Sequence, residues 1–416
     1  MDKNSKDIEP KVLGEEEGPP VEGPPKLSIS LKDPQGTLPM RESDLSGVPA
    51  AKLSPNSNSK GSSRRGRESA ISAFSPKGPM RILSDLPIWV KVLGVLVFFS
   101  IPFIFKLAGL ASGRYWLEVL NTVGLYAILA LSLNVILGHA GMFNMGHAAF
   151  FAIGSYTTAI LNTSYGWRIF YTFPVAGFAA GLFAYIVARP IIHLRGDYLL
   201  IVTIGIVEII RIALINDIFG LTGGPNGLMG ISRPYFFGLR ISQPIHFFYL
   251  IWISVAITVL LFHFLEFSRF GRALKFIKED TVAAEGIGID TSHYKLMAFV
   301  IGATFAGFAG TIYSARMGTI SPESFSFGES VILFTIVILG GSGSQRGVIL
   351  GSFLVMGLPE IFRGFQNFRL LIFGAALVGM MIFRPQGLIP PKGATYVLPE
   401  PWANIKGQNG EKLKEP

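Results

Sequence analysis

Few residues in this chain of 416 are of types that do chemistry, and those few are scattered. Glu208 and Arg211 lie three residues apart inside an apolar run, so on a helix they share one face and can pair. A charge at the centre of a bilayer costs on the order of 2.5–3.5 kcal/mol on insertion scales, which makes such a pair a functional candidate by default. It would be a zwitterion-compatible spot on a pathway or a gate between subunits; the competing reading is a self-neutralised pair that pins helices. Asn134, Asn144 and His147, polar groups in or beside apolar runs, join it as candidates for lining a translocation path. His139 and His147 flank a glycine-rich turn, yet no His-Glu-x-x-His pattern or carboxylate cluster accompanies them, so a structural role is expected and no metal. The segment Thr222-Gly223-Gly224-Pro225-Asn226-Gly227 has the glycines of a phosphate loop but not its Lys-Ser/Thr, and is expected to be a tight external turn. No nucleophile–base pair can be assembled, no nucleotide motif is present, and the absence of cysteine removes thiolate chemistry. The expectation is a protein that is not an enzyme and carries no cofactor, any ATP being hydrolysed by another subunit.

The elements that must position these residues belong to a membrane. Half of the residues are hydrophobic, 34 are Phe, and 15% are charged, against about 25% in a soluble domain. A crossing needs about 20 apolar residues, and the sequence predicts spans near 88–110, 115–137, 147–162, 169–189, 198–219, 246–267, 296–317, 329–341, 348–361 and 368–384. The expected fold is an all-α, polytopic transmembrane helical bundle of about ten spans. Segments 147–162, 329–341 and 348–361 are short enough to be tilted, broken or re-entrant. Small residues four apart (Gly177 and Gly181, Ala306 and Gly310, Gly347 and Gly351) are expected where helices approach closely. Residues 1–80, rich in Pro, Gly, Ser and charge, read as a disordered cytoplasmic tail. Residues 81–390 read as the membrane domain and 391–416 as a cytoplasmic C-terminal tail. Lys and Arg gather modestly on one set of loops, which puts both termini in the cytoplasm. The same rule accounts for the net charge of +9 without nucleic acid.

The longest polar interruption inside the membrane body runs from Ser268 to Lys295. Its first part is helix-forming up to Glu285, after which Gly286 and Gly288 break it. Ala283 and Ala284 would present a smooth surface for docking into another protein, and the alternative is an interfacial helix lying on anionic lipid. The stretch Glu279-Asp-Thr-Val-Ala-Ala-Glu-Gly-Ile-Gly-Ile289 resembles the coupling loop of ABC importer permeases, and more closely that of branched-chain amino-acid permeases of LivM type. Five further segments are similar to that family in the same order: Leu133 to Tyr156, Arg195-Gly-Asp-Tyr-Leu-Leu-Ile-Val-Thr203, Leu221-Thr-Gly-Gly-Pro-Asn-Gly227, Gly340-Gly-Ser-Gly-Ser-Gln345 and Phe383-Arg-Pro-Gln-Gly-Leu388. Met142 and Asn144 stand where the family usually has Gln and often Ser. The resemblance spans about 115–390 and implies a bacterial inner-membrane importer subunit driven by two cytoplasmic ATPase subunits. It also implies a second, related permease as heterodimer partner and an extracytoplasmic substrate-binding protein. Glu279, Asp280, Ala283, Ala284, Gly288 and Ile289 would then contact the ATPase. A urea or short-amide permease of related type and a stand-alone secondary transporter are the competing readings.

Overall fold

The computed structural model describes residues 112–194, 196–217, 220–236 and 239–361, with isolated positions 99–100, 102–103, 374–375, 378–379, 382 and 387–389. The expected tails 1–80 and 391–416 lie outside the described residues, and so do spans 88–110 and 368–384 save for those few positions.

Each apolar run between polar breaks is a helix, because in lipid the backbone can satisfy its hydrogen bonds only within itself. Helix α1 (Ser112–Asn134) continues through a π turn, Val135–His139. There follow α2 (His147–Thr163), α3 (Ile169–Ile191), α4 (Asp197–Ile215) and α5 (Pro244–Phe267). Two short helices, α6 (Arg269–Glu279) and α7 (Thr281–Gly286), precede α8 (Thr291–Met317). Then come α9 (Phe327–Gly340), α10 (Gln345–Ser352) and α11 (Leu358–Ile361), the last two joined by a second π turn, Phe353–Gly357. Six of these runs are long and apolar enough to cross a bilayer. Helix α2, at 17 residues, is about 26 Å long and falls short of the hydrocarbon thickness. The expected short span 348–361 belongs to one continuous helical run from Gln345 to Ile361, interrupted by its π turn.

Helix α8 is the centre, packed against α1, α2 and α3. The small residues make this possible. An added Cβ on Gly177 would meet the Phe308 ring, and one on Gly310 would come within 2.7 Å of Phe151 O. A Cβ on Gly347 would strike Gly340 O at 2.1 Å and one on Gly351 would reach Ile336 O at 2.5 Å. Lipid tails give apolar helices no reason to cluster, so close approach of this kind is what holds such a bundle together. Polar contacts add to it: Thr158 Oγ1 and Thr311 Oγ1 are 2.8 Å apart in the α2–α8 contact, and Ser155 Oγ donates to Gly310 O. The outward faces are apolar, with Phe178 and Ile186 on α3 and Ile257, Leu260 and Phe264 on α5 all exposed.

The two ends of the bundle differ. One end carries α6, α7 and the α9–α10 turn, and its helices start on side-chain caps. Ser268 accepts from Gly271 N, Asp290 from His293 N and Ser344 from Gly347 N. The opposite end carries two pairs of short antiparallel strands, β1 (Leu228–Met229) with β4 (Thr319–Ile320) and β2 (Tyr235–Phe236) with β3 (Leu239–Arg240).

Candidate functional site

Helix α6 buries Gly271, Ala273, Leu274 and Ile277 and exposes Arg269, Arg272 and Lys275. The sequence predicts helix continuing to Glu285, but the chain breaks at Asp280. Its carboxylate accepts from Val282 N at 2.8 Å and Ala283 N at 3.1 Å, capping a new helix in place of extending the old one. Asp280 therefore has a positioning role inside the loop, while Glu279 is exposed.

The smooth Ala283–Ala284 surface needs correcting. Successive helical residues point about 100° apart, so only Ala283 faces outward, and Ala284 is 2% exposed in the core. Ile289 also turns inward, half-buried against the core. The outward apolar groups are Val282, 64% exposed, and Ile287, 68% exposed, neither singled out from sequence. A signal existed: two β-branched aliphatics flanking an Ala-Ala-Glu-Gly turn in a polar loop. Gly288 takes a φ of +84°, which lets the chain leave α7 sharply toward α8. Thr291 Oγ1 donates to Glu285 Oε1 at 2.7 Å and closes that exit.

Beneath the loop lies the π-turned end of α1. Lys278 Nζ donates to Gly138 O at 2.7 Å, and Gly141 passes under its stem, where a Cβ would come within 2.9 Å of Lys278 Cγ. Lys275 pairs with Glu266 at 2.9 Å, and Glu266 Oε2 lies 4.0 Å from His139 Nε2. His139 Nδ1 is 3.1 Å from Asn134 O, and Asn134 Oδ1 accepts from Gly343 N at 2.8 Å. The loop is thus tied by hydrogen bonds to α1 and through it to the α9–α10 turn. π turns often mark functional positions because they leave the helical ladder weakened.

The amide and imidazole candidates are all buried. Asn134 is 1% exposed, and Asn144 and His147 are 0% exposed. Asn144 Oδ1 accepts from Gly146 N at 2.7 Å, and His147 Nε2 is 2.7 Å from Ser132 Oγ. Met145 N donates to Thr203 Oγ1 and Ala148 N to Ser330 Oγ, so the 140–148 crossing is laced to α1, α4 and α9. The partners of these candidates are backbone groups and a hydroxyl, from the local Gly146 N and Ser132 Oγ to the distant Gly343 N, which suits holding a chain crossing. Glu208 and Arg211 do pair, at 2.9 Å, and both are half-exposed on α4, where only Leu199, Thr203 and Val207 are buried.

At the opposite end, Thr222 to Gly227 form a tight turn around Gly224–Asn226. Asp217 Oδ1 accepts from Thr222 N, Thr222 Oγ1 and Gly223 N, and the Thr222 bonds above all hold its carboxyl below the usual 3.8. Gly227 has a φ of +67° and lies so close to Ile320 O that a Cβ would sit 1.9 Å from it. The turn is thereby locked to the strand after α8 through the Leu228–Ile320 register. One polar group of α1 also gains a partner that its sequence neighbourhood does not supply. Glu118 pairs with Arg316 of α8 at 2.6 Å.

A family model described as "Branched-chain amino acid transport system / permease component" matches residues 115–383. The chain is 39% identical over 300 residues to the high-affinity branched-chain amino acid transport system permease protein LivM of Escherichia coli (strain K12), covering 67% of this chain and 70% of that protein. It is 28% identical over 295 residues to LivH of the same strain, covering 64% of this chain and 91% of that one. It is also 26% identical over 330 residues to a probable LivM of Methanocaldococcus jannaschii, covering 66% and 93%. No solved structure matches this chain.

Proposed function

The chain belongs to the family of permease components of branched-chain amino acid transport systems, and from that premise we propose that it is a membrane permease subunit of an ATP-driven importer of branched-chain amino acids. Two ATPase subunits dock on the α6–α7 loop, a related permease completes the pathway, and an extracytoplasmic binding protein delivers substrate at the strand-bearing end. The loop end and both termini then face the cytoplasm of the inner membrane.

The observation that carries this reading is the construction of the loop. An amphipathic helix is laid flat on the bundle, and a second, capped turn exposes Val282, Ala283 and Ile287 away from it. Exposed apolar groups on a polar loop are interaction sites in waiting, and the loop's inner side is bonded through Lys278 to Gly138 O at the end of α1, where Asn134 in turn accepts from Gly343 N. A push on α7 would be passed to α1 and the α9–α10 turn without any chemistry in this chain. Helix α4 supports a second permease, since its half-exposed Glu208–Arg211 pair is a poor surface for lipid and a self-neutralised one for a subunit contact.

The test is purification in mild detergent followed by reconstitution with the partners that accompany it. Leucine, and not urea, should stimulate ATP hydrolysis and enter the vesicles. Uptake of leucine by this chain alone, or stimulation by urea only, would overturn the reading.

A further inference from the structure

Helix α6 has two flanks besides the side it buries. Successive helical residues turn by about 100°, so Lys275 and Lys278 fall on one flank, Arg269 and Phe276 on the other, and Arg272 on the outer edge between them. The lysine flank is turned to the bundle, where Lys275 pairs with Glu266 at 2.9 Å and Lys278 Nζ donates to Gly138 O at 2.7 Å. The arginine flank is exposed and carries an exposed ring, Phe276. A second exposed ring, Phe267, stands at the α5–α6 corner, edge-on to His263 at 4.8 Å. Arg272 Nη1 donates to Phe267 O at 2.7 Å, which brings its guanidinium to the same corner. That carbonyl orients the guanidinium but does not neutralise it.

The corner continues a stripe of α5. Ile253, Ile257, Leu260, Phe264 and Phe267 recur at spacings of four and three, so they share one face, and all are exposed. No Asp, Glu, Lys or Arg interrupts α5 before Glu266, which suits a face turned to lipid. With 24 residues α5 is about 36 Å long. That exceeds the hydrocarbon thickness of about 30 Å, so its last turn and the start of α6 lie at headgroup level. Phenyl rings gain nothing from facing water there. A docked protein is already offered Val282, Ala283 and Ile287 of the α7 turn, which lie beyond the Asp280 break and outside the stripe. The charges of the arginine flank are both positive, so the surface that complements it is anionic. Glu279 shares the outer edge but lies seven residues, about 10 Å, beyond Arg272. Rings and arginines side by side at this depth are what an interfacial helix presents to a membrane.

We propose that the α5–α6 corner and the arginine flank of α6 bind anionic phospholipid. Phe267 and Phe276 enter the top of the acyl region, and Arg269 and Arg272 meet the headgroup. The loop is thereby divided between two neighbours, α6 lying on lipid and α7 facing the ATPase. The leaflet is the cytoplasmic one in the importer reading, on which that part of the proposal rests.

The chain has no cysteine, so Phe276→Cys can carry a bimane label attached before the partner subunits are added. In the reconstituted complex, phosphatidylglycerol with a nitroxide high on its acyl chain should quench this label, and aqueous iodide should not. The same label at Ala283→Cys on α7 should be insensitive to the lipid nitroxide. Phosphatidylcholine bearing the same nitroxide should quench position 276 less at equal amounts. Arg269→Gln and Arg272→Gln should each reduce that preference about fivefold, while Arg269→Lys should keep it, which separates charge from a change in folding. In a complex that hydrolyses ATP, a label at 276 quenched by neither lipid would overturn the proposal. Iodide then tells a water-facing flank, which it quenches, from one covered by the ATPase, which it does not. Equal quenching by the two lipids would overturn the anionic assignment. A complex that takes up no leucine fails the importer reading alone, because the label at 276 reports lipid contact whatever the cargo.

Discussion

Ala284 and Ile287 sit three residues apart in one loop and should answer the same substitution in different ways. Ile287→Asp removes an exposed apolar knob. It should leave the amount of protein in the membrane unchanged while lowering substrate-stimulated ATP hydrolysis about tenfold in the reconstituted complex. Ala284→Asp places a charge in the core, at a cost of several kcal/mol, and should lower the amount of folded protein itself, read by fluorescence-detected gel filtration. Sequence assigned the two alanines alike because composition does not tell the faces of a single helical turn apart. Asp217 offers a second residue-scale test. Its carboxyl titrates below 3.8 in the fold because it accepts the Thr222 and Gly223 bonds. The stabilisation it gives the turn is therefore present above 3.8 and is lost as pH falls through the lower folded value. Pepsin should cut near exposed Leu221 faster at a pH of about 2 than the bare change in enzyme activity explains, and Asp217→Asn should remove that acceleration.

The elements were more legible than their partners. Eight of the expected spans have their helices among the described residues, with ends shifted by a few positions, because apolar length and polar breaks are local properties. Which helix each small residue packs on is not local. Gly307 shows the point, since a Cβ there would come within 2.7 Å of Ala176 O and 2.8 Å of the Ala180 methyl. Gly307→Val should push α8 off α3 and destabilise the bundle by about 1–3 kcal/mol, seen as a lower unfolding temperature in detergent. The link between α6 and α1 belongs to the same scale. Lys278→Met keeps the stem but removes a charge-assisted bond to Gly138 O that is worth at most about 1.5–3 kcal/mol. The expected result is ATP hydrolysis that persists while leucine uptake falls, measured as the ratio of the two.

At the size of the whole molecule the prediction concerns sidedness. Ile287 and Met229 are exposed at opposite ends of the bundle, so Ile287→Cys should be labelled only from the cytoplasmic side of sealed vesicles and Met229→Cys only from the other. Labelling of both from one side would break the orientation on which partner docking depends. The apolar runs and the order of the motifs were enough to establish a membrane permease and to point to its polar loop, because hydropathy acts residue by residue and the bilayer leaves the backbone little choice but helix. Tertiary structure alone decided which side of that loop is exposed and where the membrane charges find each other. Glu118 and Arg316 are 198 positions apart in the chain, and only the packing of α8 against α1 makes them neighbours. Long-range pairing of this kind depends on how helices seat on one another, and no local pattern records it.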